Sequence, residues 1–216
     1  MRKLFFYLIL IPLFFSSCKK EETIACPPAP EIPNYLPMSV GDYWVYENFY
    51  VDTLGNDSSI GVIDSVYIST DTVINGKTYY VFRGTNYPVK MQPNMLLNIV
   101  EKVNGDLINL DGTIVFSSTN FSDTLKSRYE THNGDTLFFA YSKMDGAVLQ
   151  FTVPLGTYNS LIRNDTYFFY RQFSPINPRI YPYVYGENIG LISSSISYSS
   201  TPWHYERRLI RASVNK

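Results

Sequence analysis

The chain has 216 residues, a formal net charge of -1, 17% charged residues and 16% aromatics. That length suits one domain with a tether and can bury a core without help from a disulfide or a metal. The near-neutral balance excludes the basic footprint of a nucleic-acid binder, and the 19 Tyr and 14 Phe favour strands.

The first element is an export segment. Arg2 and Lys3 supply a positive start, and residues 4–15 form an apolar run of 12 residues. A spanning helix needs roughly 20 such residues, and Pro12 interrupts this run. Ser16 and Ser17 then place small residues before Cys18. This pattern predicts a cleaved secretory signal over 1–17. Residues 18–37 follow as a tether. The five prolines between 23 and 37 favour extended, semi-rigid chain, so this part reads as a stalk.

The cut site Phe15-Ser16-Ser17-Cys18 resembles the lipobox of bacterial lipoproteins, with Phe15 where Leu is usual. The resemblance implies cleavage before Cys18 and acylation there, with fatty chains such as palmitate holding the protein on a membrane. Two or three chains give durable attachment where one alone holds only marginally. Lys19-Lys20-Glu21-Glu22 resembles the surface-export signal of Bacteroidetes-type lipoproteins. It implies that Lys20, Glu21 and Glu22 direct the protein to the outward face of the outer membrane. Lipidation of Cys18 leaves Cys26 as the sole thiol, so no disulfide framework or zinc cluster can be assembled.

Residues 38–216 carry hairpin punctuation. Asn75-Gly76, Asn104-Gly105, Asn133-Gly134, Asp111-Gly112 and Asp145-Gly146 suit the tight turns that match strand twist. Strands are expected at 42–51, 60–69, 71–74, 78–82, 98–103, 107–110, 113–116, 137–141, 147–151, 160–173, 182–185, 191–198 and 203–214. The stretch 88–100 is the best helix candidate, and Pro93 breaks it. No window sustains a helical apolar stripe. Merging the shortest pieces predicts an all-β domain of about ten strands with little helix. Its antiparallel meander forms a sandwich or curls into a half-barrel or barrel.

The opening Tyr35-Leu-Pro-Met-Ser-Val-Gly-Asp-Tyr-Trp-Val-Tyr46 and the late Gly186-Glu-Asn-Ile-Gly-Leu-Ile192 resemble landmarks of uncharacterised Bacteroidetes-type β-rich lipoproteins. Some relatives resemble the curled half-barrel of Lol-type carriers. That resemblance implies a curled sheet with a groove, not an activity.

Catalytic signals are sparse. His132 adjoins the Asn133-Gly134 turn and His204 reads as a strand histidine. No hydrolase elbow, zinc-protease, phosphate-loop or dinucleotide motif occurs. No catalytic residue, metal ligand or cofactor is assigned. The oxygens of Asn104, Asp106, Asn109 and Asp111 read as turn residues rather than as a calcium loop.

The candidate binding residues are aromatic: Tyr43, Trp44, Tyr46, Tyr167, Tyr170, Tyr183, Tyr185 and Trp203. Alternation in a strand sends one row inward as core and one outward, as cross-strand pairs or as a platform for sugars, peptides or lipid tails. Asp followed by Ser or Thr and an aliphatic residue also recurs. It resembles the O-glycosylation sequon of exported Bacteroidetes-type proteins, with Thr53, Ser65, Thr72, Thr124 and Thr136 as acceptors.

These features predict a non-enzymatic, lipid-anchored outer-membrane protein that binds an envelope protein or an extracellular glycan, peptide or lipid, and no nucleic acid. One alternative is a periplasm-facing carrier of a lipid or hydrophobic peptide, which a large apolar groove would favour. Another is a hydrolase whose carboxylates meet only in the fold.

Overall fold

The computed structural model describes residues 33–170, 178–198 and 201–215. Cys18, Cys26 and the export residues Lys20, Glu21 and Glu22 lie outside the described residues. No helix occurs among those described.

Twelve antiparallel strands form one sheet. The first six are β1 (Tyr43–Val51), β2 (Asp57–Ile74), β3 (Lys77–Asn86), β4 (Lys90–Val103), β5 (Asp106–Asn109) and β6 (Ile114–Ser117). The last six are β7 (Thr124–His132), β8 (Asp135–Val153), β9 (Gly156–Phe169), β10 (Arg179–Gly186), β11 (Gly190–Ser197) and β12 (His204–Ser213). Each half is a meander, and β1 pairs with β12 to join them. The first and last strands therefore meet in the middle of the sheet, while mid-chain strands β6 and β7 form its edges. The sheet curls until those edges are neighbours, making a nearly closed barrel.

The turns explain the register. Asn75-Gly76, Asn104-Gly105 and Asn133-Gly134 have both residues at positive φ, which gives the hairpin twist that strands prefer. They close β2–β3, β4–β5 and β7–β8. Asp111-Gly112 turns between β5 and β6, with Asp111 Oδ1 accepting from the Thr113 N–H at 2.9 Å.

Four expectations are corrected. Asp145-Gly146 is not a hairpin turn. β8 runs straight through it, with an irregularity between Asp145 and Leu149, and the corner falls at Pro154-Leu155. There Pro154 has no ladder donor to lose. The segments 60–69 and 71–74 are one strand, β2, because a bulge between Ile68 and Thr70 absorbs the break. The weak helix candidate 88–100 belongs largely to β4, and Pro93 sits in the irregular stretch between the pairs Asn86–Lys90 and Gly84–Met95. Finally, β7 raises the count to twelve. Its sequence TLKSRYETH is almost wholly exposed or half-buried, so it lacks the apolar alternation that betrays a strand.

Two clusters fill the interior. Trp44, Tyr46, Val66, Ile68, Val153, Val184, Ile192 and Leu209 form one, and Tyr35, Leu36, Phe116, Met144, Leu161 and Tyr185 form the other. Met38 packs against both. Each large apolar side chain so buried contributes roughly 1.5–3 kcal/mol. Tyr35 and Leu36 belong to the packed domain rather than standing off it. Lys102 Nζ holds this segment by donating to Asn34 Oδ1 at 3.1 Å and to the Leu36 carbonyl at 2.6 Å. Asp42 ties the domain's ends together. Its Oδ2 accepts from the Ser39 N–H, and its Oδ1 accepts from the backbone and side-chain N–H groups of Asn215.

His204 is half-buried in β12 with its ring edge-on to Tyr181, 5.9 Å between centroids. Burial pushes its pKa below the usual 6.5, Arg208 adds to this, and Glu206 opposes it. The unfolded chain therefore takes up this proton first. The contribution is present above pH 6.5 and is lost as pH falls below it toward the folded value. Between pH 7 and 5 the His204→Gln variant should lose less urea resistance than the wild type. Equal losses would show that His204 is not the source.

Candidate functional site

One cavity of about 350 Å³ lies within the curled sheet. Eleven of the twelve strands line it, all but β8. Only a sheet wrapped around its contents can present so many strands to one space. The apolar wall includes Trp44 and Tyr46 from β1, Phe82 from β3, Leu97 and Val100 from β4, and Leu107 from β5. Leu36, Pro37 and Met38 from the leading segment add to it.

Period-two alternation puts these groups together. Trp44 and Tyr46 are two apart on β1, as are Tyr183 and Tyr185 on β10, so each pair shares a face. Trp44 is fixed by its indole N–H donating to the Ile189 carbonyl at 2.6 Å, and it stacks on Phe82 with 6.0 Å between centroids. Tyr46 donates its hydroxyl to the Leu191 carbonyl at 2.8 Å. With their polar atoms satisfied, both rings present apolar surface inward. Burial pushes the phenols of Tyr46 and Tyr185 above their ordinary value, so both stay neutral hydrogen-bonding groups at physiological pH.

The polar part of the lining is cationic and amide. It comprises Lys126, Arg163, Arg207, Asn86, Asn98 and Asn109, and it includes no Asp or Glu. Arg163 is committed to structure. Its Nη2 donates to Asp165 Oδ2 at 3.2 Å, while its Nε lies 3.0 Å from Oδ1 at ion-pair distance without hydrogen-bond alignment. Its guanidinium covers Tyr183 at 3.8 Å, and Nη1 donates to the Val115 carbonyl at 2.6 Å. Val115 is on edge strand β6, so this side chain from β9 ties the seam of the barrel.

The predicted aromatics divide by face. Trp44, Tyr46, Tyr183 and Tyr185 line the cavity. Tyr167 is half-buried, edge-on to Tyr181. Tyr43 is at the surface with Arg211 near its ring, and Tyr170 is exposed. Trp203 packs between Tyr50 and Tyr205. A separate outward ladder runs from Tyr129 through Phe139 to Phe168 and Tyr141 across β7, β8 and β9.

Of the glycan acceptors, Thr53, Ser65 and Thr124 are exposed, whereas Thr72 and Thr136 are half-buried. His132 is exposed. Among the described residues no group of three or more His, Cys, Asp or Glu is placed to hold a metal. The cationic and aliphatic lining was missed in the sequence. Its only signal there is the two-residue spacing Arg163/Asp165, which sets an opposite-charge pair on one face of β9.

No protein family matches this chain, and no curated protein matches it. Among solved structures, it is similar to a chain described as a lipoprotein from Parabacteroides distasonis. The TM-score is 0.42 with 10% identity, covering 85% of this chain and 100% of that one. It is also similar to an exported protein described as having a YmcC-like fold, from Bacteroides fragilis. Here the TM-score is 0.41 with 9% identity, covering 84% of this chain and 100% of that one. Likeness at this level carries no argument about what the cavity does, which rests on the cavity's own geometry.

Proposed function

We propose that this chain is an envelope lipoprotein, anchored through Cys18, whose barrel interior binds the apolar body of a small amphipathic molecule. The observation that carries the reading is the cavity of about 350 Å³ lined by residues of eleven strands. Sites for small molecules occupy roughly 300–1,000 Å³, mostly apolar with a few polar groups. Native cores leave few voids larger than a water molecule. The pocket is open to solvent on one side; its polar groups give water partners, whereas its apolar walls do not. An alkyl chain suits them better, at ~0.8 kcal/mol per buried methylene.

This favours the carrier or ligand-binding form of the expected function over a hydrolase, because the lining has no carboxylate pair. The test is uptake of an uncharged ten-carbon alcohol by the Cys18→Ser chain, which carries no acyl chains at residue 18. Binding should be saturable at one molecule per chain, and Val100→Trp, which intrudes into the cavity from β4, should weaken it. Binding that never saturates, or that Val100→Trp leaves intact, would overturn the reading.

A second reading rests on the outward ladder, where Tyr129 is 66% exposed. Tyr129 and the half-buried rings of Phe139, Phe168 and Tyr141 behind it would form an aromatic edge for a glycan or protein at the cell surface. The anchor and the residues Lys20, Glu21 and Glu22 would present that face outward.

A further inference from the structure

The cations that line the cavity are not matched by acids that line it. Lys126, Arg163 and Arg207 all face the space, and no Asp or Glu does. Arg163 is neutralised by Asp165. Arg207 is held by neutral partners. Its Nε donates to Ser194 Oγ at 2.7 Å, its Nη1 donates to Asn86 Oδ1 at 3.0 Å, and its guanidinium lies 4.8 Å over the Tyr46 ring. Among the described residues no carboxylate pairs with it.

Lys126 is half-buried. Burial and then the Arg163 charge push its ammonium below the ordinary lysine value, against the weaker pull of Asp165 and Asp111. Tyr185 senses both Arg163 and Arg207, and Lys126 senses Arg163, so the three cations lie in one neighbourhood of the lining. Holding positive charge in an apolar space is costly unless an anion pairs with it. A purely apolar ligand would take water from Lys126 and Arg207 and bring neither a counter-charge.

We infer that the ligand of this cavity carries a single anionic head, which sits against Arg207 and Lys126 while its apolar body lies along Trp44, Phe82, Leu97 and Val100. The inference rests on the proposed cavity function and names the ligand class for it. Arg207 is preorganised by Ser194 and Asn86, so it offers its remaining N–H groups to an anion with little further ordering. Lys126 adds a mobile point charge from β7, the strand beside the seam.

The experiment compares decanoate with 1-decanol, two ten-carbon chains that differ in head charge, by calorimetric titration of the Cys18→Ser chain at pH 7.5. Decanoate should bind at least tenfold more tightly. Arg207→Met and Lys126→Met should each reduce decanoate binding about tenfold, and decanol binding by a clearly smaller factor. The wild-type comparison needs no variant to fold. Equal affinities for the two chains would overturn the anionic head while leaving the cavity function standing. Failure of both to bind would overturn both. A preference for decanoate that neither substitution weakens would overturn the assignment to Arg207 and Lys126.

Discussion

Gly84→Ala is expected to cost about 3–5 kcal/mol, combining backbone strain with overpacking, and so to remove a large part of the domain's stability. Gly84 lies on β3 with φ of 139°, and a Cβ there would stand 1.8 Å from the Ser65 carbonyl oxygen and 2.8 Å from its carbon. Both atoms are backbone, so no side-chain rotation relieves the clash. The glycine also sits where the β3–β4 pairing shifts register, between Gly84 and Asn86. The backbone of β2 and β3 must approach closely at this bend. Gly55→Ala makes the control. Gly55 also has a positive φ, 83°, but its Cβ would meet nothing within 4 Å. It should cost about 1 kcal/mol, from strain alone. Urea midpoints of the two variants check this. Equal midpoints would mean that the β2 and β3 backbones do not meet at Gly84.

Arg163→Met is the second large effect, expected at about 3–5 kcal/mol. The substitution keeps much of the apolar stem and removes the charge. It leaves the Asp165 side chain, 8% exposed, without its ion-pair partner, and it leaves the Val115 carbonyl on β6 without its donor. A buried charge stripped of its partner costs far more than the net worth of the pair. Adding Asp165→Leu should therefore restore at least half of the loss, although the Val115 carbonyl still lacks a donor. This recovery separates a buried-charge effect from simple loss of packing. A single variant within ~0.5 kcal/mol of wild type would show that Arg163 does not tie the seam.

The contrast between these two sites shows what the sequence could and could not reveal. Asn75-Gly76, Asn104-Gly105 and Asn133-Gly134 fixed three hairpins because a two-residue turn with both φ positive is a local property. Asp145-Gly146 misled because the same dipeptide also suits a bulge, and the choice depends on β9 pairing on both sides of it. β7 was invisible for a related reason. An edge strand with charged residues satisfies the needs of an edge rather than those of a core.

The candidate site was partly legible. Trp44, Tyr46, Tyr183 and Tyr185 stood out as aromatics in alternating strands. Composition cannot say which face turns inward, so Tyr43 and Tyr170 were grouped with them although both are exposed. Lys126, Arg163 and Arg207 lie on three different strands, and only the closure of the sheet brings them to one cavity. Their convergence is a property of the β1–β12 pairing and of the seam between β6 and β7, neither of which leaves a local mark.

The central claim is that an alkyl chain occupies the space between Trp44 and Val100. The measurement closest to it is quenching of Trp44 fluorescence by 10-bromodecan-1-ol, an uncharged probe, in the Cys18→Ser chain with Trp203→Phe. The chain has two tryptophans, so this substitution leaves Trp44 as the sole reporter. Bromine quenches on contact, and Trp44 lines the cavity. The account predicts saturable quenching at one probe per chain, weakened by Val100→Phe, which narrows the cavity without adding a second indole. Quenching that rises linearly without saturation, or that Val100→Phe leaves unchanged, would contradict it.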